Sequence, residues 1–172
     1  MRLFHVSEES NINEFIPRIP KRDDLVKSKG LVWAINERCL PNFLTPRDCP
    51  RVTYHINKNT THEDISKFFS SSSKHCVAIE HDWHIKMLET TLYIYEFDIK
   101  NFYLQDEIAG YFVSENTETP ISVEKYDNLY LELFKRNVEI RILNNIRDLS
   151  ETLKKSSLNW SLCRMINAKP KE

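Results

Sequence analysis

Glycine is nearly absent from this 172-residue chain, which holds only Gly30 and Gly110. A phosphate-cradling loop of the dinucleotide-binding or P-loop kind needs several glycines within a few residues, so both kinds are excluded. Cysteine is sparse as well. Cys39, Cys49, Cys76 and Cys163 lie far apart with no Cys-x-x-Cys pair, which fits reduced thiols better than a disulfide framework. No apolar run approaches the roughly 18 residues of a membrane helix. The opening "MRLFHVSEES" sets charged residues where a secretory signal needs an apolar stretch, so the expectation is a cytoplasmic protein with no membrane partner. Charge of one sign is also lacking: 24 basic against 25 acidic residues give a net charge of -1. Without a global positive field nucleic acid is not an expected partner, and any polyanion site must be local.

What is present is globular composition, with 41% hydrophobic and 28% charged residues. The length suits one domain over residues 1–172 with a sizeable core. "RLFHV", "LVWAI", "RVTYHI", "HCVAIE" and "TLYIYEFDI" read as strands, and "RVTYHI" alternates as a half-buried strand should. "SEESNINEFIPRIPKR" reads as turn and loop, followed by the charged stretch "KRDDLVKSKG". Asn36 is a suitable cap for a short helix running up to Pro46, weakened by Pro41. "NTTHEDISKFF" has threonine caps and Ile65, Phe68 and Phe69 at helical spacing, while "HDWHIKML" gives one or two helical turns. "AGYFVS" and "ISVEKY" read as a pair of strands joined by the polar turn "ENTETP". "DNLYLELFKRN" is an amphipathic helix capped by Asp127 or Asn128, with Leu129, Leu133 and Phe134 on one face. The strand "VEIRIL", a helix at "IRDLSETLKK" and a last strand near "SLCRMINA" complete the chain. Helices inserted among short strands without strict alternation point to an α+β fold with mixed or antiparallel strands.

Four groupings could carry chemistry. His75, Cys76, His81 and His84 crowd into ten residues, and His81 and His84 share a helical spacing suited to a metal, yet no second closed-site pair accompanies them. Surface histidines beside a short helix are the plainer reading, and no metal is assigned. Cys49 and His55 stand six residues apart along an extended run, too far for an activated thiol, so an inert buried cysteine is expected. In the corner "PRDCPRV", Arg47 and Arg51 flank Asp48 between two prolines. A guanidinium in a rigid turn suits forked recognition of phosphate or carboxylate, whereas the alternative is that Asp48 pairs with one arginine and fixes the turn. Asp106 and Glu107 before "AGYFVS", with Glu115 after it, offer carboxylates of the kind that stabilise an oxocarbenium-like centre, though solvated loops also carry such residues. Tyr111, Trp33 and Tyr93 could stack on a planar ring, and aromatic residues in strands are also ordinary core.

Taken in order, "LFHVS", "LVWAINERCLPNF", "LYIYEFDIKNF" and "AGYFVSENTETPISVEKY" resemble the sequential landmarks of the small bacterial rifamycin ADP-ribosyltransferases, over roughly residues 3 to 126. That family opens on a strand with a Tyr-His-Gly-Thr type signature, followed by an aromatic strand leading into a helix. The opening and "PRDCPRV" also look like those of an uncharacterised small bacterial family with no activity attached. The first resemblance implies a compact α+β domain whose two sheets split around an NAD cleft, which needs no glycine-rich loop. It implies that His5 hydrogen-bonds a ribose hydroxyl of NAD, with Ser7 at the same strand end, and that Trp33 is the platform for nicotinamide. Asp106 or Glu107 would steady the ribosyl centre or orient the acceptor, and Tyr111 and Ser114 would line the cleft. The sequence departs from the pattern twice. The family has tyrosine where Trp33 stands, and arginines in a late strand where this chain has Phe112 and Glu115. Arg47 and Arg51, which have no counterpart there, would supply phosphate contacts if they faced the cleft.

The leading expectation is therefore a domain that binds NAD or a related nucleotide and transfers ADP-ribose to an unknown acceptor. A second is a non-catalytic binding or regulatory module in which Arg47 and Arg51 hold an anionic ligand. A third, RNA-end phosphate processing, follows from the similarity of RNA phosphotransferases to this fold class and is opposed by the balanced charge.

Overall fold

The structure, a computed structural model, describes residues 1–19 and 29–171. The charged stretch over 21–28 lies outside the described residues. In chain order the strands are β1 (Leu3–Ser7), β2 (Val32–Asn36), β3 (Arg51–His55), β4 (His75–Glu80), β5 (Leu92–Phe97), β6 (Tyr103–Asp106), β7 (Tyr111–Ser114), β8 (Ser122–Tyr126), β9 (Val138–Leu143) and β10 (Asn159–Cys163). The helices are α1 (His62–Phe68), α2 (His84–Glu89), α3 (Leu129–Lys135) and α4 (Arg147–Leu153), with 3-10 turns between. Among the described residues no helix is long and apolar enough to cross a membrane. The fold is mixed α+β, with two sheets and a few short helices.

The chain divides into two compact units that it visits alternately, Met1–Leu40 with Leu92–Tyr126 and Pro41–Thr91 with Asp127–Glu172. The first unit holds a six-stranded sheet in the order β6-β7-β2-β1-β5-β8, antiparallel at every pairing. Its core joins Leu3, Val32, Ala34, Tyr95, Phe97 and Phe112 on one sheet face to Phe15 and Phe102 from the loops. β7 and β8 are not a hairpin, contrary to expectation. "ENTETP" instead carries the chain from β7, beside β2, to β8 at the far edge beyond β5.

The second unit holds a four-stranded sheet in the order β10-β3-β4-β9, in which β4 and β9 run parallel. Val52, Tyr54, Cys76 and Ala78 face one way and pack with Phe68, Phe69, Ile146 and Leu153. β3 is buried on both faces, where its sequence alternation predicts burial of one. The helix expected after Asn36 is a 3-10 stretch, Glu37–Phe43. The Asn36 side chain accepts from the Cys39 N–H at 3.0 Å, and Pro41 removes a donor mid-run, which favours the short 3-10 form. Thr61 and Asn128 cap α1 and α3 by accepting from the amides of Asp64 and Leu131. Leu129 and Leu133 of α3 are buried as expected, but Phe134 is 63% exposed and belongs to the outer face.

Candidate functional site

Alternation along β1 sends Leu3, His5 and Ser7 to one face of the six-stranded sheet and Phe4 and Val6 to the other. The register Leu3↔Asn36 and Phe4↔Ile35 places Ala34 on the His5 face and Trp33 on the opposite face. His5 reaches Trp33 through the main chain, its Nδ1–H donating to the Trp33 carbonyl oxygen at 2.9 Å. Trp33 stands edge-on to Tyr111, with ring centroids 5.3 Å apart. The structure therefore brings Trp33 and Tyr111 together and sets both on the far side of the sheet from His5 and Ser7. Ser114, paired with Val32, shares the His5 face. The Ser7 hydroxyl accepts from the Glu9 N–H at 3.1 Å and shapes the start of the loop that follows β1.

That loop brings Phe15 over the sheet, its ring 4.8 Å from His5 and edge-on to Tyr95 and Phe97. Phe15 is held by a two-way main-chain bridge to Glu118, at 2.8 and 3.0 Å. The Glu118 side chain lies just inside, 7% exposed, and accepts from the Ser114 hydroxyl at 2.5 Å. A buried carboxylate thus sits on the His5 side of the sheet, one loop residue away from the imidazole. Nothing in the "ENTETP" turn separates this acid from its exposed neighbours except the i, i+4 spacing to Ser114. Beside it opens a recess of about 360 Å³ lined by Ser10, Ile12, Tyr95, Thr119, Pro120 and Val123. Tyr95 pairs directly with His5, and its hydroxyl donates to the Glu9 carbonyl at 2.7 Å.

Asp106 and Glu107 occupy a different place. Asp106 accepts from the Ala109 N–H at 2.9 Å, which closes the turn before β7 and leads into Gly110 at φ +70°. A side chain at Gly110 would collide with Asn36 and Cys39, each 2.7 Å from where its Cβ would lie. Glu107 is exposed, and its carbonyl accepts from Arg38 at 2.9 Å. With Arg2, Glu37, Arg38, Leu104 and Phe112 it borders a recess of about 420 Å³. Neither of these two recesses is lined by His5.

Arg47 and Arg51 belong to the other unit. Arg47 is exposed, and Asp48 pairs with Arg164 at 3.7 Å. Arg51 is buried, with Nε donating to the Asn42 carbonyl at 2.6 Å, Nη1 to the Cys49 carbonyl at 3.0 Å, and the guanidinium 5.3 Å from the centre of the Phe43 ring. Burial pushes the Cys49 thiol up to about 12, with Arg51 lowering it only in part, so the sulfur is a neutral thiol. His55 lies at the opposite end of β3 from this corner. All four cysteines are free thiols.

Among the described residues no three His, Cys, Asp or Glu side chains are grouped to hold a metal ion. His75 and Cys76 are neighbours on β4 and point to opposite faces, His81 is exposed, and His84 bonds the Tyr130 hydroxyl at 2.8 Å.

These observations describe a mixed α+β protein with a histidine and a buried carboxylate on one face of its larger sheet. The chain belongs to a family of unknown function, DUF6886, whose model matches residues 4–168. No curated protein and no solved structure matches it.

Proposed function

We propose that the chain binds NAD or a related nucleotide on the His5 face of the six-stranded sheet and transfers ADP-ribose to an acceptor. The observation that carries this reading is the grouping of His5, Ser7, Ser114 and the buried Glu118 on that face, beneath Phe15 and with a recess in the same unit. The recess is within the usual size range of small-molecule sites. In this reading His5 contacts a ribose hydroxyl, its ring fixed by the bond to the Trp33 carbonyl. Glu118 is the carboxylate that faces the ribosyl carbon when the bond to nicotinamide breaks, because the centre left behind carries oxocarbenium charge. The acceptor then forms the new bond to that carbon and gives up its proton, and nicotinamide leaves with the bonding electrons. Asp106, which closes the turn before β7, and Glu107, which borders the other recess, orient the acceptor in this reading.

Calorimetric titration with NAD, combined with chromatographic detection of free nicotinamide, tests the proposal. The expected result is binding at or below millimolar NAD, at least tenfold weaker in His5→Ala, and slow nicotinamide release that falls in Glu118→Gln while binding persists. Absence of heat at millimolar NAD, or identical behaviour of His5→Ala, overturns it. Binding with no release in wild type supports a non-catalytic module.

A further inference from the structure

The second unit carries a separate peculiarity. β3 alternates so that Arg51, Thr53 and His55 share the sheet face opposite the apolar core of Val52 and Tyr54. The registers with β10 and β4 add Asn159, Ser161 and Cys163 on one side of this row and His75 on the other. His75 donates from Nε2 to the Asn42 side-chain oxygen at 2.7 Å, and the Asn42 carbonyl accepts from Arg51, so Asn42 ties both side chains to one loop. On this face the polar strip runs beside the fully buried Val77 and Ile79 of β4, the cross-strand partners of Thr53 and Arg51.

Arg51 is the charge in this strip, and it is 5% exposed. Its two bonded nitrogens meet main-chain carbonyls, and among the described residues no carboxylate stands within ion-pair distance and Nη2 has no acceptor. Glu80 does not serve. It follows Ile79, the cross-strand partner of Arg51, and so points to the other face, where it accepts from the amides of Lys169 and Ile146. A buried cation without a counter-charge is costly, and the usual remedy is an anion. The loop around Arg51 supplies a second sign. Between Asn42 and Cys49, whose carbonyls grip the guanidinium, lies Thr45, 2% exposed, and its hydroxyl is a buried polar atom with no hydrogen-bond partner among the described residues. A buried orphan hydroxyl in a native protein calls for a reason.

We infer that the loop 42–49 and Arg51 form an oxyanion site that takes a phosphate group of a small phosphorylated ligand, with the Arg51 guanidinium as its charge and the Thr45 hydroxyl as a second donor. The third nitrogen of Arg51 and the Thr45 hydroxyl both lack a partner among the described residues once the loop's own bonds are made. Arginine suits a phosphate because its planar donors match two oxygens. Asn42 holds both the loop and His75, so binding orders the same strip.

The site is independent of the NAD proposal, since its residues lie in the other unit, and the two fail separately. Titration of the full chain with pyrophosphate and with inorganic phosphate, followed by amide NMR and thermal unfolding, tests it. Wild type is expected to show saturable shifts at residues 42–51 and an unfolding temperature that rises with pyrophosphate concentration. Thr45→Val, which keeps shape and removes the hydroxyl, is expected to bind roughly tenfold more weakly while the unliganded protein is no less stable. Arg51→Lys keeps the charge and is expected to lose at least as much affinity. No saturable shift at 10 mM pyrophosphate in wild type overturns the inference. So does equal affinity in Thr45→Val, which would leave the hydroxyl as a mere packing feature.

Discussion

The two sheets differ in where their polar groups stand relative to the main apolar cluster. In the six-stranded sheet the polar groups His5, Ser7 and Ser114 stand among Leu3, Ala34, Tyr95 and Phe97 on the same face, with Phe15 covering both. In the four-stranded sheet Val52, Tyr54, Cys76 and Ala78 pack into an apolar core on one face, and Arg51, Thr53, His55 and His75 stand on the other beside the buried Val77 and Ile79. A face that mixes the two couples site to stability, because the residue that covers the core also covers the histidine. In the four-stranded sheet the core around Tyr54 lies on the face opposite Arg51, so one can be altered without the other.

The comparison is open to mutation. The largest effect is expected from Tyr54→Ala. Tyr54 is fully buried, with its hydroxyl donating to the Phe68 carbonyl at 2.8 Å and its ring edge-on to Phe68 and Phe69. Its loss should cost roughly 3–5 kcal/mol in urea unfolding. In whatever fraction remains folded, pyrophosphate affinity should change less than threefold. Phe15→Ala should cost about 3 kcal/mol and, unlike Tyr54→Ala, should also change NAD binding, because the same ring covers His5. Unchanged NAD binding in a folded Phe15→Ala protein would break the coupling argued for the larger sheet.

Gly110→Ala should cost about 2 kcal/mol, since the backbone is left-handed there and the new Cβ has no room beside Asn36 and Cys39. The effect should appear in unfolding and leave the phosphate titration alone. The smallest effect concerns acid. Burial pushes the Glu139 carboxyl up, but hydrogen bonds from Arg141, Ser70 and Ser71 outweigh it and hold the group below its ordinary 4.5. A depressed folded-state value means that the contribution is complete above about 4.5 and is lost as pH falls through the folded value. Glu139→Gln should therefore be less stable than wild type at pH 7, and the gap should narrow when urea midpoints are compared below pH 4. A constant gap would assign the loss to packing.

Much of this architecture is legible in the sequence, and the illegible part has a common cause. The runs "LFHVS", "VWAIN", "HCVAIE" and "LYIYEF" declare themselves by β-favouring composition, and the caps Thr61 and Asn128 by their chemistry. What a single strand cannot declare is its partner. β7 and β8 read as a hairpin because they are consecutive, and they stand at different positions in the sheet because each finds an earlier strand. β6, the short "YLQD", has too little pattern to be noticed. The same limit governs the site. The apolar and polar positions of β1 and β2 are readable separately, yet only the register between them shows that His5 and Trp33 face apart. Glu118 and Thr45 look like any turn acid and any loop threonine until burial singles them out.

The alternation of the chain between its two units bears on how the protein is made. Every strand of the six-stranded sheet has been synthesised once Tyr126 is in place, whereas the four-stranded sheet waits for β9 and then for β10, whose Cys163 pairs with Arg51. As the chain leaves the ribosome, β3 and β4 therefore exist for some time as a hairpin with both outer edges unpaired, the condition in which strands associate with the wrong partner. A chain stopped after Tyr126 would keep those strand edges exposed permanently, which makes the segment after Tyr126 a guard against aggregation as well as a source of two strands.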